Sequence, residues 1–379
     1  MRVITQLPND DLRRAQAAAR VAEAAGFDGV VALENAHGPY LPLAAAALAT
    51  ERVQLGTAVA MAFPRSPTIT AHQAWDLQKA SGGRFYLGLG SQVKAHNERR
   101  YGIPWVPPAP RLRDYIGAVR AIWRCWEQGE ALDYRSARYT LSLMTPNFAP
   151  RPTGLPRVPV SMAAIGPAML RVAGEVCDGV RLHPFCTRRY VEEACLPSLG
   201  EGLDRAARGR GTLEVVGGGF IATGPDRAAV AQMLDYVRFR IAFYCSTRAY
   251  WDVLRVHGLA ALGEKLHRYP REGRWDEMAA QIPDEVIGLF AVVGTYDTIV
   301  AEIEQRYRGG APTRSRSRRR PTPSRAPCAR WWRASSGSRA RSPATRSAGE
   351  GRALTPVRPG VISRRQGKEL TCGSRERTR

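Results

Sequence analysis

Four short stretches of this chain carry residue types at spacings that could hold a ligand and act on it. Glu34, Asn35 and His37 put a carboxylate and an imidazole into one loop. An imidazole gives or takes a proton near neutral pH; the other reading of His37 is a histidine in a surface loop. The run Leu55–Ala60 contains Ala58 and Val59 near its end, and the run Phe85–Gln92 ends through Gly88, Gly90 and Ser91. Little side chain at a strand end lets a flat ligand approach the backbone. Gly-x-Gly at 88–90 lacks the spacing of the dinucleotide fingerprint, and a tight turn has the same pattern. Ala164-Ile165-Gly166-Pro167 joins an apolar run to a helix-length segment. Free N–H groups and the helix dipole suit a phosphate there, and a capped helix without ligand is the alternative. His96, Arg99 and Arg100 could meet an anionic tail or form a solvated basic loop. His183 ends a further apolar run, while His72, His257 and His267 read as structural or surface residues.

The elements that must position these residues alternate. Arg2–Leu7 reads as a first strand, with Asp10 as cap of an Ala-rich helix ending at Gly26. Gly29–Glu34 is continuously apolar up to its last residue, as suits a parallel sheet buried on both faces. A loop over 35–42, a short helix over 43–49 and a strand over 53–60 follow. Next come a helix over 68–80 and the strand 85–90. A helix over 111–128 carries Ile116, Val119, Ile122, Trp123 and Trp126 at core spacing. The remaining strands are expected at 158–164, 179–183 and 213–222, with a helix over 226–244. A run at 290–294 leads into a helix over 297–307. Short connections between strands and helices predict an α/β fold with right-handed crossovers. Insertions near 93–157 and 247–289 interrupt the alternation: the Pro-punctuated stretch at 130–157 is expected over the mouth of the barrel, and 247–289 reads as largely helical.

Composition divides the chain near residue 310. Residues 311–379 hold 19 of the 56 Lys and Arg but only 3 of the 34 Asp and Glu, so this tail accounts for most of the net charge of +22. The folded part is therefore close to charge balance. The tail is Arg-, Pro- and Ser-rich without periodicity, and reads as disordered or as a shifted reading frame where an eighth strand belongs. A basic tail also opens the alternative of a nucleic-acid-associating protein, non-specific and salt-dependent. No stretch of ~18 apolar residues and no basic-then-apolar leader is present, so a cytoplasmic chain without membrane contact is expected. Seven cysteines without a Cys-x-x-Cys pair indicate neither zinc nor a disulfide framework, and no metal site is expected.

The runs Leu55–Pro67, Ser81–Gln92 and Ala163–Pro167 together resemble the luciferase-like monooxygenase superfamily, and within it the coenzyme F420-dependent oxidoreductases. The resemblance spans roughly residues 1–310. It implies a TIM (β/α)8-type barrel of the bacterial luciferase-like type, here with its eighth strand missing or replaced. It also implies hydride exchange between deazaflavin F420 and a small organic substrate, with an FMN-dependent monooxygenase as the alternative. On this resemblance Ala58–Val59 forms a non-proline cis peptide behind the ring. Gly88, Gly90 and Ser91 line the cofactor, and Ala164, Gly166 and Pro167 hold its phosphate. Glu34 and His37 lie beside the reactive ring carbon as the catalytic pair. Family members often place an acidic residue after this histidine; Gly38 stands there. A homodimer is implied as well.

Overall fold

The computed structural model describes residues 2–308. Residues 311–379, and with them the readings of the tail, lie outside the described residues. The chain runs β1 (Ile4–Gln6), α1 (Leu12–Ala24), β2 (Gly29–Ala32), α2 (Tyr40–Ala47), β3 (Gln54–Thr57), β4 (Ala60–Met61), α3 (Pro67–Ala80), β5 (Phe85–Gly90), α4 (Lys94–Arg99) and α5 (Pro108–Gln128). A hairpin of β6 (Tyr134–Arg135) and β7 (Thr140–Leu141) precedes β8 (Val160–Ala164), α6 (Pro167–Val176) and β9 (Gly179–Leu182). Then come α7 (Arg188–Tyr190), α8 (Leu196–Arg205), β10 (Glu214–Val216), β11 (Phe220–Gly224), α9 (Arg227–Cys245), α10 (Trp251–Arg255) and α11 (Ala260–Arg268). The described chain closes with α12 (Asp284–Phe290), β12 (Ala291–Thr295) and α13 (Ile299–Tyr307).

β1, β2, β3, β5, β8, β9 and β10 lie side by side in that order, and β4 continues the line of β3 along β5. Every pairing among them is parallel. Arg2, just ahead of β1, is ion-paired with Glu214 on β10, so the sheet curls until its two edges nearly meet. This is the expected α/β barrel. Among the described residues no eighth strand stands between β10 and β1. Strands buried on both faces explain the unbroken apolar runs: all four residues of β2 are buried. Outside the sheet, α5 packs Ile116, Val119, Ile122, Trp123 and Trp126 into the core as their spacing predicts.

Three local expectations are corrected. Asp11, not Asp10, caps α1 and accepts the N–H groups of Arg13 (2.7 Å) and Arg14 (3.3 Å), while Asp10 pairs with the Arg14 side chain. The expected strand 53–60 is interrupted at Ala58–Val59, where β3 gives way to β4. The expected strand 213–222 is two strands in two sheets. Gly217, Gly218 and Gly219 all have φ near +100°, a conformation other residues rarely adopt. They turn the chain out of the barrel, so that β11 pairs with β12 in a separate parallel sheet.

Two arginines organise backbone rather than surface. Arg84 donates to the carbonyls of Thr50 (2.6 Å), Val53 (2.7 Å) and Ser81 (2.8 Å), closing the region between the end of α2 and the start of β3. Arg65 does the same at the site described below.

At Gly88 the backbone of β3 passes close to β5: a Cβ on it would lie 2.0 Å from the Thr57 carbonyl oxygen. Gly88→Ala is therefore expected to cost about 2–3 kcal/mol of stability or to block folding. Gly200, on α8, has nothing within 4 Å of such a Cβ. Gly200→Ala is expected to be neutral or to stabilise by about 0.5–1 kcal/mol. Urea midpoints of the two variants check the contrast; equal midpoints would show that Gly88 is not required by close approach.

Candidate functional site

The C-terminal ends of the barrel strands converge on one face, where barrel active sites lie. At its centre the buried Thr57 hydroxyl donates to the Gly88 carbonyl (2.6 Å) and accepts the Gly88 N–H (2.8 Å). The next peptide bond, Ala58–Val59, is cis, and the Ala58 N–H reaches the Ala32 carbonyl at 2.8 Å. β4 then pairs Ala60 with Leu89 and Met61 with Gly90. A Cβ on Gly90 would meet the Val59 side chain at 2.5 Å and Ala163 at 4.0 Å. Ala58, Val59, Gly88 and Gly90 are thus brought together with β8, and Ala164 ends that strand. The glycines have a packing reason that the sequence does not show: their missing side chains are filled by Thr57 and Val59.

Glu34, on the loop after β2, is tied to this floor. Its carboxylate accepts the Met61 N–H at 2.7 Å and receives both ends of the Arg65 guanidinium, at 2.8 and 2.9 Å. Arg65 also donates to the Met61 carbonyl at 2.9 Å and lies over the ring of buried Tyr40, 5.4 Å from its centre. Burial works against the Arg65 charge, yet the bonded Glu34 carboxylate outweighs it and leaves the guanidinium more basic than usual. Burial likewise pushes the Tyr40 phenol upward. Arg65 and Tyr40 are the residues the sequence reading passed over. Arg65 lies in the Leu55–Pro67 run, and a carboxylate after one strand facing an arginine after the next was the available signal.

His37 is exposed, and its carbonyl, at 3.3 Å from the Asn35 N–H, is the part that is held. The structure does not bring its ring onto the Glu34–Met61 cluster. Arg100 reaches from the loop after β5 to the Asn35 carbonyl (2.6 Å) and lies over Tyr101, while His96 and Arg99 are exposed. Ser91 is held through its carbonyl by the fully buried Asn97 (2.9 Å). Gln92 beside it has φ +57°, a left-handed conformation uncommon for a side-chain-bearing residue.

Gly166 begins α6 without a capping side chain, Pro167 takes the first helical position, and a Cβ at Gly166 would touch nothing within 4 Å. The helix N-terminus is therefore open. Tyr190 fixes the residue before it, donating to the Ile165 carbonyl at 2.9 Å. One strand on, His183 sits against Tyr244 and Tyr250, and its Nδ1 accepts the Phe185 N–H at 3.0 Å. Burial, and then the charge of Arg240, lower its pKa to about 4. His72 lies tilted against Trp126, His257 bonds Thr187 and His267 bonds the Ser246 carbonyl. Among the described residues no group of three His, Cys, Asp or Glu is placed to hold a metal ion. No helix among them is long and apolar enough to cross a membrane.

The described strands thus form a parallel barrel with small residues at its strand ends and an open helix N-terminus after β8. The model described as luciferase-like monooxygenase matches residues 2–313, and the chain belongs to that family. An uncharacterized protein of Mycobacterium tuberculosis is 45% identical over 303 residues, covering 80% of this chain and 89% of the relative. A putative coenzyme F420-dependent oxidoreductase of the same organism is 32% identical over 298 residues, covering 73% and 83%. Among solved structures, the coenzyme F420-dependent tetrahydromethanopterin reductase of Methanopyrus kandleri has the same fold. Its TM-score is 0.66 at 24% identity, over 82% of this chain and 90% of that one.

His183 generates a pH prediction. Its folded pKa lies below its ordinary value of 6.5, so between those two values the unfolded chain binds more protons. Stability from neutral His183 is full above pH 6.5 and is lost as pH falls toward 4. By pH 5 the loss is expected to reach about 1–2 kcal/mol. Urea unfolding at pH 7 and pH 5 checks this; His183→Gln should remove that part of the slope, and an unchanged slope would clear His183 of the role.

Proposed function

We propose that this chain is an F420-dependent oxidoreductase in which hydride passes between bound deazaflavin and a small organic substrate. The observation that carries the reading is the pairing of a low-bulk floor with an open helix N-terminus on the same barrel face. Ala58, Val59, Gly88, Gly90 and Ser91 offer a flat ring backbone and small side chains. Beside Ala164, Gly166 and Pro167, the first turn of α6 offers a phosphate its free N–H groups, Pro167 itself donating none, and a Cβ at Gly166 would touch nothing within 4 Å. The residues present therefore fit such a cofactor, and the relative whose name carries F420 supports the same choice over FMN. Bound F420 would supply the hydride chemistry itself. Of the chain's own groups, His37 would exchange a proton with substrate from its exposed position, and Glu34 would hold the floor through Met61. The protein would act in the cytoplasm as a homodimer; Leu41, Leu48 and Ile69 on or beside α2 and α3 are exposed apolar side chains that support self-association.

Titration of the purified protein with F420 and FMN in parallel tests the cofactor. Tighter F420 binding is expected, and FMN binding with no F420 binding would replace the reading by the monooxygenase alternative. Gly166→Leu is expected to weaken F420 at least about tenfold (on the order of 1.4 kcal/mol) while thermal unfolding stays at the wild-type temperature. Unchanged affinity would take Gly166 out of the site. His37→Ala is expected to lower turnover at saturating cofactor more than it lowers cofactor affinity; the opposite pattern would leave His37 without a proton to manage.

A further inference from the structure

We propose that Arg65 and Glu34 act as one positioning pair, fixing the strand end that faces the cofactor by holding both backbone groups of Met61. This rests on the F420 reading above and adds to it the device that sets the floor. The geometry is specific. Glu34 Oε2 accepts the Met61 N–H, Arg65 Nη1 donates to the Met61 carbonyl, and the same Nη1 and its neighbour Nη2 bind the two Glu34 oxygens. Met61 lies two residues beyond Val59, in a strand of only two residues. So short a strand has few bonds of its own: its ladder pairs Ala60 with Leu89 and Met61 with Gly90, and the Ala62 N–H adds one more to the Gly90 carbonyl (2.9 Å). The ion pair supplies what the ladder lacks.

Its surroundings hold it in one geometry. Only 8% of the Glu34 side chain and 20% of that of Arg65 reach solvent. Tyr40 covers the guanidinium from α2. The chain then passes through Arg65 to Ser66, which caps α3 by accepting the Ile69 N–H. The pair thus links the loop after β2, the strand β4 and the start of α3. Both Glu34 oxygens are engaged, so the carboxylate is an anchor and not a proton carrier. A planar, five-donor guanidinium can satisfy a carboxylate and a carbonyl together; a lysine ammonium of similar charge cannot reproduce that fork.

The test uses Arg65→Lys, Glu34→Gln and the double variant in the full chain. Readouts are F420 affinity, the absorbance and fluorescence of bound F420, turnover against pH, and thermal unfolding. Arg65→Lys is expected to weaken F420 at least tenfold and to change the bound spectrum. Glu34→Gln keeps an acceptor for the Met61 N–H, so its loss should be smaller, with the shape of the pH–turnover profile unchanged. If the two act as a unit, the double variant should be no weaker than Arg65→Lys alone. Wild-type affinity and spectrum in both single variants, with only the unfolding temperature lowered, would reduce the pair to a structural tie and overturn the proposal. A Glu34→Gln profile that loses one limb would overturn the anchor role in favour of proton transfer. Should Arg65→Lys not fold, Glu34→Gln alone decides by the same criteria. Wild-type protein that binds no F420 is a different failure: it removes the cofactor reading and this assignment with it.

Discussion

At Thr57 and Gly88 two parallel strands approach so closely that no side chain fits between them, and the working face of the barrel is built outward from that contact. The Thr57 hydroxyl takes both the N–H and the carbonyl of Gly88, so the axial register of β3 against β5 has a side-chain lock as well as a ladder. Everything at the face follows from this register. Val59 falls against Gly90, β4 pairs with Leu89 and Gly90, and Met61 arrives where Glu34 can accept its N–H. A slip of one residue would reverse which side chains face inward and would leave a side chain where only Gly88 fits. The small residues therefore serve packing first. Clearance for a ligand is a consequence of the same choice.

The backbone of the fold was legible because strands covered on both faces must be apolar throughout, and runs such as Gly29–Ala32 are. What was hidden depends on information that a local window lacks. The run from Leu213 to Ala222 reads as one strand, since nothing in its hydrophobicity says that three successive glycines will take positive φ and divide it. Asp10 and Asp11 are equally good caps by type, and the helix start chooses between them. Gly88 and Gly90 could be placed at a strand end, but not the atoms that fill their empty sides. Glu34 stood out as a carboxylate on a strand-end loop; its partner 31 residues away is set by tertiary contact. His37, read from its chemistry alone, is exposed, with its carbonyl accepting the Asn35 N–H within the loop.

A mostly buried ion pair is weak evidence for stability. Removing two charges from water costs several kcal/mol per ion, and apolar replacements of similar volume often do as well. Glu34 and Arg65 therefore call for a reason other than net stabilisation. Their four hydrogen bonds supply one, because half of them go to the main chain of Met61. Arg84 shows the same logic without a carboxylate, its guanidinium gathering carbonyls from 50, 53 and 81. In both places an arginine imposes a geometry on irregular backbone that no ladder could impose. Near the candidate site, geometry to a fraction of an ångström is what binding a rigid ring requires.

This matters more because, among the described residues, the sheet is not a closed hoop. In a complete barrel each strand is held from both sides; among the described residues β1 and β10 each have one sheet neighbour. Unpaired edges invite pairing with other chains. Among the described residues a side-chain ion pair spans the gap at its N-terminal end. Arg2, ahead of β1, reaches Glu214 on β10 across it and also bonds Gln54 on β3, while Arg181 on β9 bonds the Tyr86 hydroxyl of β5 at 3.0 Å. This layer is incompletely satisfied. Ser161 Oγ and Arg181 Nε are buried without a partner among the described residues, beside a cavity of about 40 Å³, enough for a water. Charge across the gap can hold the two edges near each other, but it cannot set the height of one strand against the next. At the opposite end, where the candidate site lies, that task falls to the Thr57–Gly88 lock and to the hold of Glu34 and Arg65 on Met61. Neither lies on an edge strand of the gap. The floor around Ala58, Val59, Gly88 and Gly90 is thereby fixed by β2, β3, β4 and β5 among themselves, while Ala164 and Gly166 are placed by β8 and the start of α6.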